Sequence, residues 1–252
     1  MPDCFGADDR AVSEVIGYVL VFSLVVTSIV IVSGPGFSVL EEARSAEQNR
    51  NAETAFDVLH ANMAELYTGH APSRATEMDI GDSDLVVGEN VTVRIHLDEG
   101  GGSWDNDTSY RIRSVVQRLD DERRLVYEAG AVLRTNREAG IVVSDPPVLS
   151  NDESVHITIP ATQSASTFSV RGGTVLVRGA VQERDVVVSD TDDTYQTVIL
   201  NVTSPRADLW HDHLEEGGFD CSGPTNDTTE CQRDSFSRLY VTAHEIDLSL
   251  VR

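Results

Sequence analysis

The sequence predicts an α+β protein: an N-terminal transmembrane helix continues into an amphipathic helix, and a mainly antiparallel, sandwich-like β domain follows. Three observations predict it. Residues Val15 to Val32 are almost wholly apolar, and no charge occurs from Val15 to Leu40. Ala52, Phe56, Leu59, Met63 and Leu66 then recur at spacings of four and three, one face of a helix. From Thr76 onward the apolar period changes to two, the signature of half-buried strands.

The first element is the apolar run. A helix from Ala11 to Ser33 rises roughly 34 Å at about 1.5 Å per residue, enough for a hydrocarbon core of about 30 Å. Lipid offers backbone groups no partners, so a helix is the single-segment solution. Gly34-Pro35-Gly36 is expected to break or kink it. A cleaved secretory signal fits poorly, because the first ten residues are acidic apart from Arg10 and the apolar run is long. The second element is the helix from Phe37 to about Tyr67, with Val39, Ala43 and Ala46 extending its apolar face backwards and Gly69 and Pro72 ending it.

The strands follow in order. Val91, Val93, Ile95 and Leu97 alternate with polar residues, as do Val155, Ile157 and Ile159. Val175, Val177 and Val181 share a face, then Val198, Leu200 and Val202, then Ile246, Leu248 and Leu250. Alternation means one buried and one wet face, hence antiparallel sheets. A helical insertion is expected over Pro205 to Glu216, with Ser204 as N-cap and Leu209, Trp210 and Leu214 inward. The expected division is a 1–10 leader, an 11–33 transmembrane helix, a 34–70 amphipathic stalk and a 71–252 acidic β domain placed outside the cell. The expected location is a cell membrane crossed once.

Charge narrows the setting. The 252 residues carry 42 acidic and 19 basic side chains, net −23, and every basic residue is Arg. The acids are spread between apolar alternations, unlike a disordered acidic tail. A dense carboxylate surface keeps a protein soluble where salt screens repulsion to a few Å, so the composition points to work in high salt. No basic stripe exists to neutralise phosphates, which argues against nucleic acid as a partner.

Chemistry-bearing motifs are few. Cys221 and Cys231 enclose a Gly-Pro turn, which suits a disulfide in an oxidising exterior; two free thiols are the competing reading. Asn90, Asn106, Asn201 and Asn226 each begin an N-glycosylation tripeptide, with Asn90 and Asn201 on polar strand faces and Asn106 and Asn226 in loops. Trp210-His211-Asp212-His213 is the most catalytic-looking cluster, but an i, i+2 pair on a helix points two ways. Acidic stretches at Asp98 to Asp107 and Asp190 to Asp193 read as solvated loops before calcium sites. Nucleophile elbows, Walker loops, zinc-protease helices and dinucleotide fingerprints are absent from the sequence. The expectation is therefore no catalytic residues, no metal and no cofactor.

Asp8-Asp9-Arg10-Ala11-Val12-Ser13-Glu14-Val15-Ile16-Gly17, running directly into an apolar helix, resembles the start of haloarchaeal type IV pilin-like proteins. The resemblance implies a prepilin peptidase as partner and a cut between Arg10 and Ala11. Glu14 stands where haloarchaeal major pilins have Pro, and is the fourth mature residue. A buried carboxylate needs a partner, and the new Ala11 amine of a neighbouring subunit could supply it. A place among lipid headgroups is the competing reading for Glu14. Asn51 to Leu59 and Ala71 to Glu77 are similar to segments of a halophile-restricted family of pilin-like membrane proteins of uncharacterised function. The resemblance reaches about residue 80 and brings a topology, with like subunits or other pilins as partners, but no activity.

Two functions follow as expectations. The first is a pilin-like surface protein that assembles through its helix. The alternative is a monomeric, membrane-anchored extracellular domain binding a ligand, glycan or protein. A surface hydrolase lacks a catalytic set.

Overall fold

A computed structural model describes residues 8–99, 104–137, 139–192 and 194–251; the side chains of 8–14, 32–38, 41 and 104–106 fall outside that description. The leader residues 1–7, Cys4 and the Gly100-Gly101-Gly102 run therefore lie outside the described residues. The chain divides into two compact units, 1–49 and 50–252.

The first element, α1 (Asp8–Tyr67), is one helix of 60 residues. Its backbone stays helical through Gly34-Pro35-Gly36, where a break was expected. Pro35 removes one donor from the ladder, and the helical residues on either side carry the helix past it. The expectation of a membrane-spanning helix is corrected. Among the described residues no helix is long and apolar enough to cross a membrane. The described apolar side chains run only from Val15 to Ile31, and α1 continues without interruption into a stretch bearing Glu42, Arg44, Glu47 and Arg50. The single-pass membrane location, the extracellular placement deduced from it, and the transmembrane and pilin-like descriptions fall with that helix. The fold class changes too. Among the described residues, fourteen strands in two sheets make the protein mainly β, not an α+β chain on a transmembrane helix.

The strands are β1 (Ser73–Asp79), β2 (Asp84–Asp98), β3 (Trp104–Arg118), β4 (Arg123–Glu128), β5 (Ala131–Asn136), β6 (Ala139–Ser144), β7 (Val148–Ser150), β8 (Ser154–Gln163), β9 (Phe168–Arg171), β10 (Thr174–Asp190), β11 (Thr197–Thr203), β12 (Asp220–Thr225), β13 (Thr228–Asp234) and β14 (Arg238–Val251). The second helix, α2 (Ala207–Glu216), lies between β11 and β12. One sheet has the order β1-β10-β14-β8-β7; the other runs β12-β13-β11-β2-β3-β4-β5-β6, with β9 pairing β2. Most pairs are antiparallel, but β8 and β14 run parallel, Ser154 opposite Arg238 through Gln163 opposite Asp247. Parallel neighbours need a long crossover, and here it contains β9 to β13 and α2.

The long β2 organises the larger sheet. Its first half pairs β9 and its second half pairs β11, while β3 runs along its other edge. The two halves meet at a bulge between Val87 and Glu89. Gly88 there has φ of +156°, and an added Cβ would lie 2.5 Å from Thr167 Cγ2, so a side chain is excluded both by backbone and by space.

Two cores hold the sheets. The first gathers Val93 and Ile95 of β2, Ile157 and Ile159 of β8, Val241 of β14, and Trp210 and Leu214 of α2. The second lies under the last turns of α1. Ala52, Phe56, Leu59, Met63 and Leu66 pack with Val175, Val177, Ile246 and Leu248 of the smaller sheet and with Leu85, Leu125 and Tyr127 of the larger one. Their spacing puts them on one stripe. The helix comes close to β10 because residue 179 is glycine: an added Cβ would lie 2.8 Å from Leu66 Cδ1 and 2.9 Å from Met63 Cε. Gly179→Val is expected to cost about 1–3 kcal/mol through overpacking, read as a lower urea midpoint at unchanged slope. Farther back on the helix, Val39, Ala43 and Ala46 are exposed.

Candidate functional site

An extended apolar surface lies on α1 in the first unit. Tyr18, Val19, Leu20, Val21 and Phe22 are consecutive, so at about 100° per residue they point to every side of the helix. All five are exposed, as are Leu24, Ile29 and Ile31. Polar relief is slight: Ser28 Oγ donates to Val25 O at 2.8 Å, within its own helix. Tyr18 and Phe22, one turn apart, stack with ring centroids 6.3 Å apart. A helix that is apolar all round is ordinarily buried, and each large side chain gains about 1.5–3 kcal/mol on leaving water. Arg10, Ala11 and Glu14 belong to the α1 backbone, but their side chains lie outside the described residues.

Among the described residues, the β body contains a concentrated buried polar site, which sequence reading missed. Glu128, the last residue of β4, is fully buried. Its Oε1 accepts from Ser204 Oγ at 2.8 Å and from Trp210 Nε1 at 2.6 Å. Its Oε2 accepts from Arg206 Nε at 2.8 Å. The same guanidinium reaches Glu89 Oε2 at 2.7 Å. Burial alone lowers the Arg206 pKa, but Glu128 and then Glu89 outweigh it and hold the guanidinium above its ordinary value. These bonds tie the β4–β5 turn, the bulge of β2 and the start of α2 together. Glu128, Ser204, Arg206 and Trp210 each bond to protein partners here, so the site has the character of a structural clamp. The available signal was Glu128 itself: an acid directly after Leu125-Val126-Tyr127, in a strand buried on both faces, must have a partner.

Around the clamp the expected features separate. Trp210 points into it, while His211 and His213 diverge: His211 Nδ1 lies 3.3 Å from Thr229 Oγ1, and His213 Nδ1 lies 3.8 Å from Asp145 Oδ1. Among the described residues no group of three His, Cys, Asp or Glu side chains is placed to hold a metal. Ser204 is not the N-cap of α2. That position is Arg206, whose amide donates to Ser204 Oγ at 3.0 Å.

Asp190 closes the loop before β11. Its carboxylate accepts amides from Asp192 at 3.0 Å and from Thr194 and Tyr195, each at 2.9 Å. Burial pushes this carboxyl up, but the amides of Tyr195, Asp192 and Thr194 outweigh it and hold it below the usual carboxylate value. The stabilisation is therefore present above an unfolded pKa of about 3.9 and lost as pH falls through the folded value. Asp190→Asn, which turns an NH2 toward at least one of these amides, is expected to cost about 1–2 kcal/mol at neutral pH. Urea unfolding at pH 7 and near pH 3 checks it: the deficit of the variant should shrink at the lower pH.

Cys221 and Cys231 are joined across β12 and β13, directly opposite in register with Cα atoms 4.0 Å apart. The hairpin turns through Asn226 and Asp227, both at positive φ. Asn226 and Asn90 are exposed, whereas Asn201 is part-buried between Arg94 and Glu230 in the ladder, with its Oδ1 enclosed. Asn106 lies in β3, opposite Leu97, not in a loop; its side chain is outside the described residues. Any sequon modification is expected at Asn226 and Asn90 before Asn201. Intact-glycopeptide mass spectrometry checks the order, and a glycan on Asn201 with Asn226 bare would contradict it.

Comparison with curated proteins and with solved structures found no match to the chain. A family model described as a family of unknown function, DUF7289, matches residues 10–249. That span includes the apolar helix, both sheets and the Glu128–Arg206 clamp, so the chain belongs to this family, DUF7289.

Proposed function

We propose that the protein is a noncatalytic assembly subunit whose α1 apolar segment is covered by the same segment of other copies, leaving the β body to be displayed. One observation carries this reading: the all-round exposure of large apolar side chains between Val15 and Ile31. The segment holds no charge, so like copies meet there without the repulsion that net −23 imposes elsewhere. Cover on one side would leave the opposite side wet, so the arrangement that suits it is a bundle of several helices.

The β body supports a noncatalytic role because its buried charges are consumed in bonds that hold the fold, Glu128 and Arg206 above all. Sedimentation of the full chain in concentrated salt tests the proposal. The native chain should form a defined oligomer, and Leu20→Glu with Leu24→Glu should release monomers. A monomeric native chain, or an oligomer indifferent to both substitutions, would overturn it.

A further inference from the structure

A cavity of about 540 Å3 opens between the β1–β2 turn, the β3–β4 hairpin and β9. Three arginines line it, Arg118, Arg124 and Arg171, together with several aspartates. We propose that this cleft binds a small ligand through a carboxylate held between Arg118 and Arg124. The proposal goes beyond assembly and does not rest on it.

The case rests on which charges are already committed. Arg118 and Arg124 lie directly opposite each other in the β3–β4 register. Like charges facing across a strand pair repel. In a chain with 42 acidic side chains, a carboxylate between them is the obvious remedy, yet among the described residues neither has an ion-pair partner. The nearby acids are engaged elsewhere. Asp120 accepts the amides of Glu122 and Arg123 at 2.9 and 2.6 Å and pairs with Arg123 Nε at 2.6 Å. Asp84 faces Arg171 Nε at 3.7 Å, and Asp82 has a partner of its own. Only Asp121, exposed at the hairpin tip, is uncommitted among the lining acids.

The uncommitted charge in the cleft is thus two guanidiniums against one carboxylate. That surplus suits a monoanion. A phosphate or sulfate dianion would overshoot it and stand among aspartates. Planar, forked donors also match a planar carboxylate. The floor is fixed, because Gln117 Nε2 donates to Ser83 Oγ at 2.9 Å and Ser83 Oγ to Ile80 O at 2.6 Å.

Saturation-transfer difference NMR on the full chain tests this, because it observes the ligand and tolerates assembly. The probe is galacturonate, with galactose as its neutral counterpart and ionic strength held constant. Transfer is expected to galacturonate and not to galactose. It should fall about tenfold in Arg118→Gln with Arg124→Gln and persist in Arg111→Gln with Arg178→Gln. The charge-preserving Arg118→Lys with Arg124→Lys serves if the first pair fails to fold, and should also weaken transfer through loss of the forked geometry. Equal transfer to galactose, transfer indifferent to the cleft substitutions, equal loss in the Arg111 and Arg178 control, or ready displacement by sulfate would overturn the proposal.

Discussion

Replacing Glu128 with Ala is expected to cost about 3–5 kcal/mol, because it leaves Arg206 buried without its main counter-charge. Arg206 is only 7 % exposed, and its one other carboxylate partner, Glu89, is part-buried. The same substitution strips partners from Ser204 Oγ and Trp210 Nε1, each a buried donor that costs about 1–3 kcal/mol when unmet. A domain stable by about 5–15 kcal/mol would be left marginal. The informative companion is the double variant Glu128→Leu with Arg206→Met. Replacing both charges by apolar groups removes the desolvation penalty along with the attraction, so this pair should be more stable than either single change, while the unmet Ser204 Oγ and Trp210 Nε1 keep it below native stability. Urea unfolding in concentrated salt, arranged as a double-mutant cycle, reads the difference. Additive losses would mean that the clamp is not one coupled unit.

Phe56→Ala should be nearly as damaging, at about 3–5 kcal/mol. Phe56 is fully buried under the last turns of α1, within the core that joins both sheets. Ala there leaves a cavity that the sheets cannot close, since Gly179 already brings Leu66 and Met63 hard against β10. The loss should appear as a lower midpoint with little change in slope. Val58→Ala is the control. Val58 is 48 % exposed on the same helix, and its truncation should stay within about 0.5 kcal/mol.

What could be read from sequence and what could not divide along physical lines. The alternations in β2, β8 and β11 mark strands whose inward members Val93, Ile157 and Leu200 are indeed buried, because a strand with one wet face reports its period in its own residues. The Ala52-to-Leu66 stripe is legible for the same reason. The parallel pairing of β8 with β14 has no local signal, since the partners lie far apart in sequence. Asn106 reads as loop because its neighbours are polar, yet the length of β2 carries the ladder past it. The clamp was invisible because Glu128, Arg206 and Trp210 meet only after folding, although an acid in a doubly buried strand was a clue.

The apolar run is the sharpest case. Its composition was plain and pointed to a membrane span, but among the described residues no helix is long and apolar enough to cross a membrane. What remains is an apolar helical surface that must be covered. The most direct measurement is site-specific oxidation of the full chain in a Cys4→Ser background, with a single new cysteine at Leu24 or, as a control, at Thr54 on the exposed side of the same helix. If like helices cover the segment, Leu24→Cys chains should form disulfide-linked dimers in high yield at low protein concentration, and Thr54→Cys chains should not. Monomers at both positions, or equal linking at both, would contradict assembly through residues 15–31.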